Sequence, residues 1–100
     1  MGRLCLAAWA IAAAGMAAPA WADSTTAFCS LSRHDHTIPV ESGHCQFSQR
    51  QGNVNVRFGW WAFRFDANQQ GQSYQRESMA NGIRFTREGE YTLNVLWQQP

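Results

Sequence analysis

The fold of this chain is decided by residues 53–65, NVNVRFGWWAFRF. Both halves of this stretch alternate between apolar and polar side chains, which is the period of a half-buried β-strand and not of a helix. The apolar positions are even in the first half and odd in the second: Val54, Val56, Phe58, Trp61, Phe63 and Phe65. A tight turn or a glycine bulge at Gly59-Trp60 would return both sets to one core face. The stretch therefore predicts two antiparallel strands.

Turn signals separate the short apolar runs in the rest of the chain. Asn81-Gly82 predicts a two-residue hairpin turn, because both residues tolerate positive φ. Gln51-Gly52 and Arg87-Glu88-Gly89 predict two further hairpin turns, and the polar segment Ala67–Gln72 predicts the main loop.

Two more segments complete the strand prediction. The last one alternates cleanly, with Tyr91, Leu93, Val95 and Trp97 on one side. Pro39 cannot donate to a strand ladder, so we expect a strand at Thr37–Val40 to lie at a sheet edge. The chain as a whole predicts an all-β fold, a small antiparallel barrel or sandwich of about six to seven short strands.

The N-terminal region has the three-part layout of a secretory signal peptide. Arg3 is the only charged side chain before Asp23, and it precedes the apolar run Leu4–Ala18 and a small-residue cleavage site at Pro19–Ala22. The apolar run is long enough to act as an uncleaved anchor. Pro19 and the lack of a following basic cluster favour cleavage. We expect residues 1–22 to be removed, which leaves a single periplasmic or secreted β domain at 23–100 with no stable membrane insertion.

Charge and cysteine content agree with export. The chain has 8 basic and 7 acidic residues, so loss of Arg3 would leave a neutral domain, which argues against nucleic acid or an anionic membrane as a partner. Cys29 and Cys45 would be the remaining cysteines, and an even pair in an exported chain predicts a disulfide. That bond would close a loop of roughly 15 residues and contribute about 3 kcal/mol to the free energy of unfolding. This is a large fraction of the total stability of so small a domain.

A cluster of histidines provides the alternative functional hypothesis. His34 and His36 would point to the same side of a strand, and the disulfide would bring His44 near the strand that holds Cys29. Imidazole nitrogen is a good ligand for Zn(II) and Cu(II). A periplasmic metal-binding protein is therefore the alternative function, whereas a solvated hairpin loop at Arg33–His36 is the simpler interpretation, with no cofactor.

The sequence provides no convincing catalytic group. Ser30, His34 and Asp35 occur together, but no motif marks an activated serine. Glu88 and Glu90 flank a turn glycine and should be hydrated, unlike a general acid with a raised pKa. We predict that the protein is not an enzyme.

The adjacent tryptophans suggest a binding surface. Trp60 and Trp61 would point to opposite faces of a strand, so one of them should be exposed. An exposed Trp beside arginine side chains has the composition of a protein-binding hot spot, although a packed cover over a sheet face is the simpler interpretation.

Two resemblances accompany these residues. The segment from Cys29 to Gly52, with Ile38-Pro39-Val40, Cys45 and FSQRQG at 47–52, resembles a group of small exported two-cysteine bacterial β proteins of unassigned function. The second half is similar to the bacterial inhibitors of C-type lysozyme, small β-barrels with a Ser-Gly-x-x-Tyr loop followed by a basic residue. The corresponding residues here are Asn81-Gly82-Ile83-Arg84-Phe85 and Arg87, which lack both hydroxyl groups of that loop.

The sequence thus predicts a non-enzymatic exported module that binds another protein, with an envelope-protective or lysozyme-inhibitor-like role implied by the second resemblance. The expected surface combines the hairpin residues Asn81, Gly82, Arg84 and Arg87 with the exposed member of the pair Trp60 and Trp61.

Overall fold

Residues 23–100, the part of the chain that the computed structural model describes, form seven β-strands and one short 3₁₀ helix. The strands are β1 (Asp23–Arg33), β2 (Glu41–Arg50), β3 (Asn53–Phe58), β4 (Trp61–Phe65), β5 (Gln75–Met79), β6 (Gly82–Arg87) and β7 (Tyr91–Leu96), and the 3₁₀ helix is Ala67–Gln69. The predicted all-β class and strand number are confirmed. The predicted signal segment, residues 1–22, lies outside the described residues.

The strands form one antiparallel sheet in the order β4-β3-β2-β1-β7-β6-β5. Strand β1 is central because it pairs with both β2 and β7. The sheet is strongly curled, since Phe65 of β4 stacks on Phe85 of β6 with ring centroids 4.2 Å apart although four strands separate β4 from β6 in the sheet order. The result is a half-barrel whose edge strands, β4 and β5, face each other across an open seam.

The core occupies the concave side of this sheet and includes most of the predicted alternating residues, whereas Trp97, predicted on the same side, is 43% exposed. Its fully buried members include Val54, Val56, Phe65, Phe85, Leu93 and Val95. The disulfide between Cys29 and Cys45 also lies there and confirms the predicted pairing, with a Cα–Cα distance of 5.8 Å. In the β1–β2 ladder Cys45 pairs with Ala27 and Cys29 pairs with Gly43, so the bond runs diagonally across two neighbouring strands.

The change of parity at Gly59-Trp60 is absorbed by a tight turn. Phe58 pairs with Trp61, so the turn contains two residues. Gly59 has φ 60° and Trp60 an ordinary φ, which is the pattern of a type II′ turn and requires glycine at its first central position. Both strands of this hairpin therefore present their apolar residues to the core.

The turn predicted at Asn81-Gly82 is displaced by one residue. Met79 pairs with Gly82, so the turn residues are Ala80 and Asn81, and Gly82 is the buried first residue of β6. Glycine is needed at position 82 because the neighbouring strand leaves no room for a side chain, and not because of a positive φ. A Cβ on Gly82 would overlap the carbonyl oxygen of Val95 and lie 2.9 Å from Leu96 Cα.

The strand expected at Thr37–Val40 is not formed, and that prediction is wrong. Residues 34–40 are the loop that connects β1 to β2. The carboxylate of Asp35 accepts hydrogen bonds from the backbone N–H of Thr37 at 3.0 Å and from its hydroxyl at 2.7 Å. This local turn competes with strand pairing. Pro39 also lacks the backbone N–H that a strand would donate to its neighbour.

Candidate functional site

Trp60 is the most exposed large apolar side chain of the described residues, with 96% of its surface accessible. It occupies the second position of the β3–β4 turn, so a paired hairpin holds it away from the sheet. Its neighbour Trp61 is half-buried, and the guanidinium of Arg33 lies 4.8 Å from the centre of the Trp61 ring. The structure therefore decides which of the two tryptophans is exposed: Trp60 faces solvent and Trp61 packs.

A second loop places apolar side chains at the same end of the half-barrel. Ile38 and Val40, in the β1–β2 loop, are 37% and 58% exposed. Arg33 connects this loop to the β3–β4 hairpin, because it stacks on Trp61 and forms an ion pair with Glu41 at 2.7 Å. We call Trp60, Ile38 and Val40 the apolar rim.

A third loop at this end carries acidic residues. The β6–β7 loop contains Glu88 and Glu90, and the backbone N–H of His34 donates to the carbonyl of Glu90 at 2.9 Å, which fixes this loop against the end of β1. Asp35 is exposed on the β1–β2 loop. Its two hydrogen bonds from Thr37 lower the pKa of the carboxyl group, so Asp35 is negative at neutral pH.

The predicted hairpin residues lie elsewhere. Asn81 is exposed in the β5–β6 turn, at the opposite end of the sheet from Trp60. Arg84 lies on the convex face, where its Nε donates to Asn94 Oδ1 at 3.0 Å and its Nη1 lies 3.4 Å from Glu77 Oε1. The structure therefore does not bring the predicted tryptophan and hairpin residues into one surface.

Asn81 and Arg84 instead border a shallow groove of about 390 Å³ on the convex face. Its apolar lining comes from Phe28, Met79 and Leu96. No local sequence pattern indicates this groove, because its lining residues on β1, β5 and β7 come together only in the folded sheet.

Arg87, predicted as an exposed hairpin cation, is half-buried and hydrogen-bonded within the fold. Its three nitrogens donate to Tyr91 Oη at 2.8 Å, the carbonyl of Ser73 at 3.2 Å and the carbonyl of Arg64 at 2.8 Å. Its guanidinium carbon also lies 5.1 Å from the centre of the Phe65 ring. Arg87 therefore bridges the seam between β4 and the segment that precedes β5, and each of its nitrogens is engaged within the fold.

Phe85 and Ile83, which the inhibitor resemblance places in a protruding loop, are buried in the core at 0% and 7% exposure. Both are inward positions of β6, and Phe85 stacks on Phe65. Of the residues that the resemblance carries over, Asn81 and Arg84 thus remain at the surface.

The three histidines of the metal hypothesis are separated. His44 pairs with Phe28 in the middle of the β1–β2 ladder, whereas His34 follows the end of β1. Six residues of extended chain separate Phe28 from His34, about 20 Å. His34 Nε2 instead lies 3.2 Å from Thr92 Oγ1. Within residues 23–100 no group of three metal-ligating side chains is assembled, so the geometry does not support this site.

Comparisons with known proteins give no match for the chain among family models, curated proteins or solved structures. Across residues 23–100 the structure contains no helix that is long and apolar enough to cross a membrane. The disulfide suits an oxidising compartment such as the periplasm or the extracellular medium.

Proposed function

We propose that the protein is a non-enzymatic exported binding module that contacts another protein through the apolar rim. The observation that carries the proposal is the 96% exposure of Trp60 at the tip of a hydrogen-bonded hairpin. An indole buries about 200 Å² when it is covered, which corresponds to about 5 kcal/mol of gross hydrophobic free energy. That free energy is not used for folding and is available for binding.

The way in which Trp60 is held adds to this argument. The type II′ turn and the pairing of Phe58 with Trp61 fix the backbone on both sides of Trp60. A tryptophan on a fixed backbone loses little conformational entropy when it binds. Tryptophan is also among the residues most enriched at the centres of protein interfaces.

The proposed location is the periplasm or the extracellular medium. The signal-like segment before Asp23 and the buried Cys29–Cys45 disulfide both support export, since disulfides persist in oxidising compartments. With a neutral domain and no basic surface patch in the sequence pattern, nucleic acid is not proposed as a partner.

The test is affinity capture from the cell envelope, with the exported protein as bait. We expect wild type and Trp97→Phe, which changes a tryptophan at the other end of the sheet, to retain the same protein. Trp60→Ala should lose it. Equal capture by Trp60→Ala and wild type would remove the proposed surface.

Lysozyme inhibition is a second candidate function, suggested by the resemblance in the second half of the chain, and it would use a different surface from the apolar rim. Asn81 and Arg84 are the residues that support it. The hydroxyl groups of the inhibitor loop are absent, and Phe85 and Arg87 are committed to the core and to the seam. A turbidity assay with C-type lysozyme tests it. Undiminished lysis at micromolar protein would remove inhibition and leave the general binding proposal, whereas inhibition that Arg84→Ala weakens would support it.

A further inference from the structure

We infer that the partner bound at the apolar rim is a basic polypeptide, whose cationic side chains lie against the loops that surround Trp60. This inference rests on the proposed binding function and adds the chemistry of the partner. The apolar rim provides the docking surface, and the charges around it identify what docks there.

Negative charge predominates at this end of the half-barrel. Asp35, Glu88 and Glu90 are exposed on the loops beside the rim. None of the three belongs to an ion pair among the described residues 23–100. Each therefore keeps its full charge toward a partner.

The two arginines at the same end are bound within the fold, and one of them, Arg33, is paired with a carboxylate. The charge of Arg33 is neutralised by Glu41 at 2.7 Å, and its guanidinium faces the Trp61 ring. Arg87 directs its three nitrogens into the seam, at Tyr91, Ser73 and Arg64. The histidines His34 and His36 also lie on the β1–β2 loop.

Arg87 keeps its charge at the rim end, Arg76 donates to Gln49 Oε1 at 2.9 Å, and the other arginines of residues 23–100 without an ion pair lie elsewhere. Arg50 ends β2 at the other end of the sheet, and Arg57 is exposed on the convex face of β3. Among the described residues, the rim end therefore holds three carboxylates outside ion pairs against one such arginine, Arg87, and is the negative pole of a domain with almost no net charge. Such a field steers cations toward that end and repels anions.

Trp60 adds a second attraction for the same class of ligand. A lysine or arginine over the face of an indole gains cation–π stabilisation, which grows when the pair is shielded from water. A basic polypeptide with apolar residues can bury Trp60, Ile38 and Val40 and pair its cations with the three carboxylates. An anionic lipid surface or a nucleic acid would meet the same carboxylates with like charge.

The experiment measures binding by the protein expressed as the full chain and purified from the periplasm. The probes are an amphipathic Leu/Lys peptide, the same peptide with Glu at every Lys position, and vesicles of zwitterionic phosphatidylcholine. Calorimetric titrations are run at low salt and at an ionic strength of about 0.15 M. The variants are Trp60→Ala, the double change Glu88→Gln with Glu90→Gln, and a matched double change Glu77→Gln with Asp66→Asn at acids away from the rim.

We expect the Lys peptide alone to bind, and its affinity to fall with salt. The Glu88/Glu90 variant should bind it about five-fold more weakly, as expected for two partly exposed ion pairs. Trp60→Ala should lose about 30-fold or more. The Glu77/Asp66 variant should bind like wild type.

Equal binding of the Lys and Glu peptides, binding of the vesicles in preference to the Lys peptide, or no binding of any probe would overturn the inference. An equal effect of the two double changes would overturn it as well. The binding function is judged separately, by capture of the native partner with wild type and Trp60→Ala. If that capture depends on Trp60 but not on Glu88 and Glu90, the binding function stands and the basic partner does not.

Discussion

Arg87 and Arg84 provide the sharpest test of this structure, because they are two arginines of one strand with different roles. Arg87 faces the concave side and donates to Tyr91, Ser73 and Arg64, whereas Arg84 lies on the convex face with Asn94 and Glu77. Removal of Arg87 should therefore destabilise the fold, and removal of Arg84 should not.

The magnitudes follow from these contacts. Arg87→Ala removes three hydrogen bonds, each worth about 1 kcal/mol, and a guanidinium–ring contact with Phe65 worth about 0.5 kcal/mol. Part of this loss is recovered, because the two carbonyl acceptors can then bind water. We expect Arg87→Ala to lower the free energy of unfolding by about 2–3 kcal/mol, roughly half of the total for so small a domain. Arg84→Ala should lower it by less than about 1 kcal/mol, because its ion pair is exposed.

Urea unfolding followed by tryptophan fluorescence measures the difference. With a slope of about 1 kcal/mol per molar urea, Arg87→Ala should move the midpoint down by roughly 2 M relative to wild type. Arg87→Lys should recover less than half of the loss, because an ammonium group cannot span three acceptors in one plane. A midpoint of Arg87→Ala within roughly 0.5 M of that of Arg84→Ala would refute the role assigned to the seam.

Three further predictions test the core and the turns. Gly82→Ala should lower the free energy of unfolding by several kcal/mol, because the added Cβ meets the β7 backbone. Gly59→Ala should lower it by about 1 kcal/mol, because position 59 has open space but φ 60°. Chemical denaturation compares the two variants. Thiol titration of the folded domain 23–100, purified from an oxidising compartment, should find no free thiol, and Cys29→Ser should lose about 3 kcal/mol. Burial raises the pKa of Tyr74 and Tyr91. Above pH of about 10 the unfolded chain releases these protons first, so stability should fall with rising pH, as alkaline unfolding curves and the ultraviolet absorbance of phenolate will measure.

The regular part of the fold could be predicted from sequence because it depends on local pattern. Alternation at Val54–Phe65 fixes which side chains face inward, and the predicted removal of residues 1–22 leaves two cysteines and one pairing. The position of the β5–β6 turn could not be predicted in the same way. Asn81-Gly82 has the better turn chemistry, but the close approach of Val95 requires Gly82 within the strand, and that contact exists only after β6 and β7 pair.

The functional residues were predictable only in part. An adjacent pair of tryptophans on a strand shows that one is exposed, and the turn decides that it is Trp60. The role of Arg87 depends on carbonyl groups 14 and 23 residues away along the chain, so no local pattern contains it. The sequence predicts an edge strand that contains Ile38 and Val40, whereas the turn at Asp35 leaves both side chains exposed in a loop.

Trp60 remains the residue whose presence the fold does not explain. Two-residue hairpin turns favour glycine, asparagine, aspartate and serine, each for a backbone reason, and a polar residue at position 60 would avoid an exposed indole. The neighbouring Trp61 already fills the core position and receives the Arg33 stack, so the hairpin gains no packing from Trp60. Positions that break a local rule without a structural gain are expected at functional sites. The cost of an exposed tryptophan at this turn is therefore best accounted for by a partner that covers it.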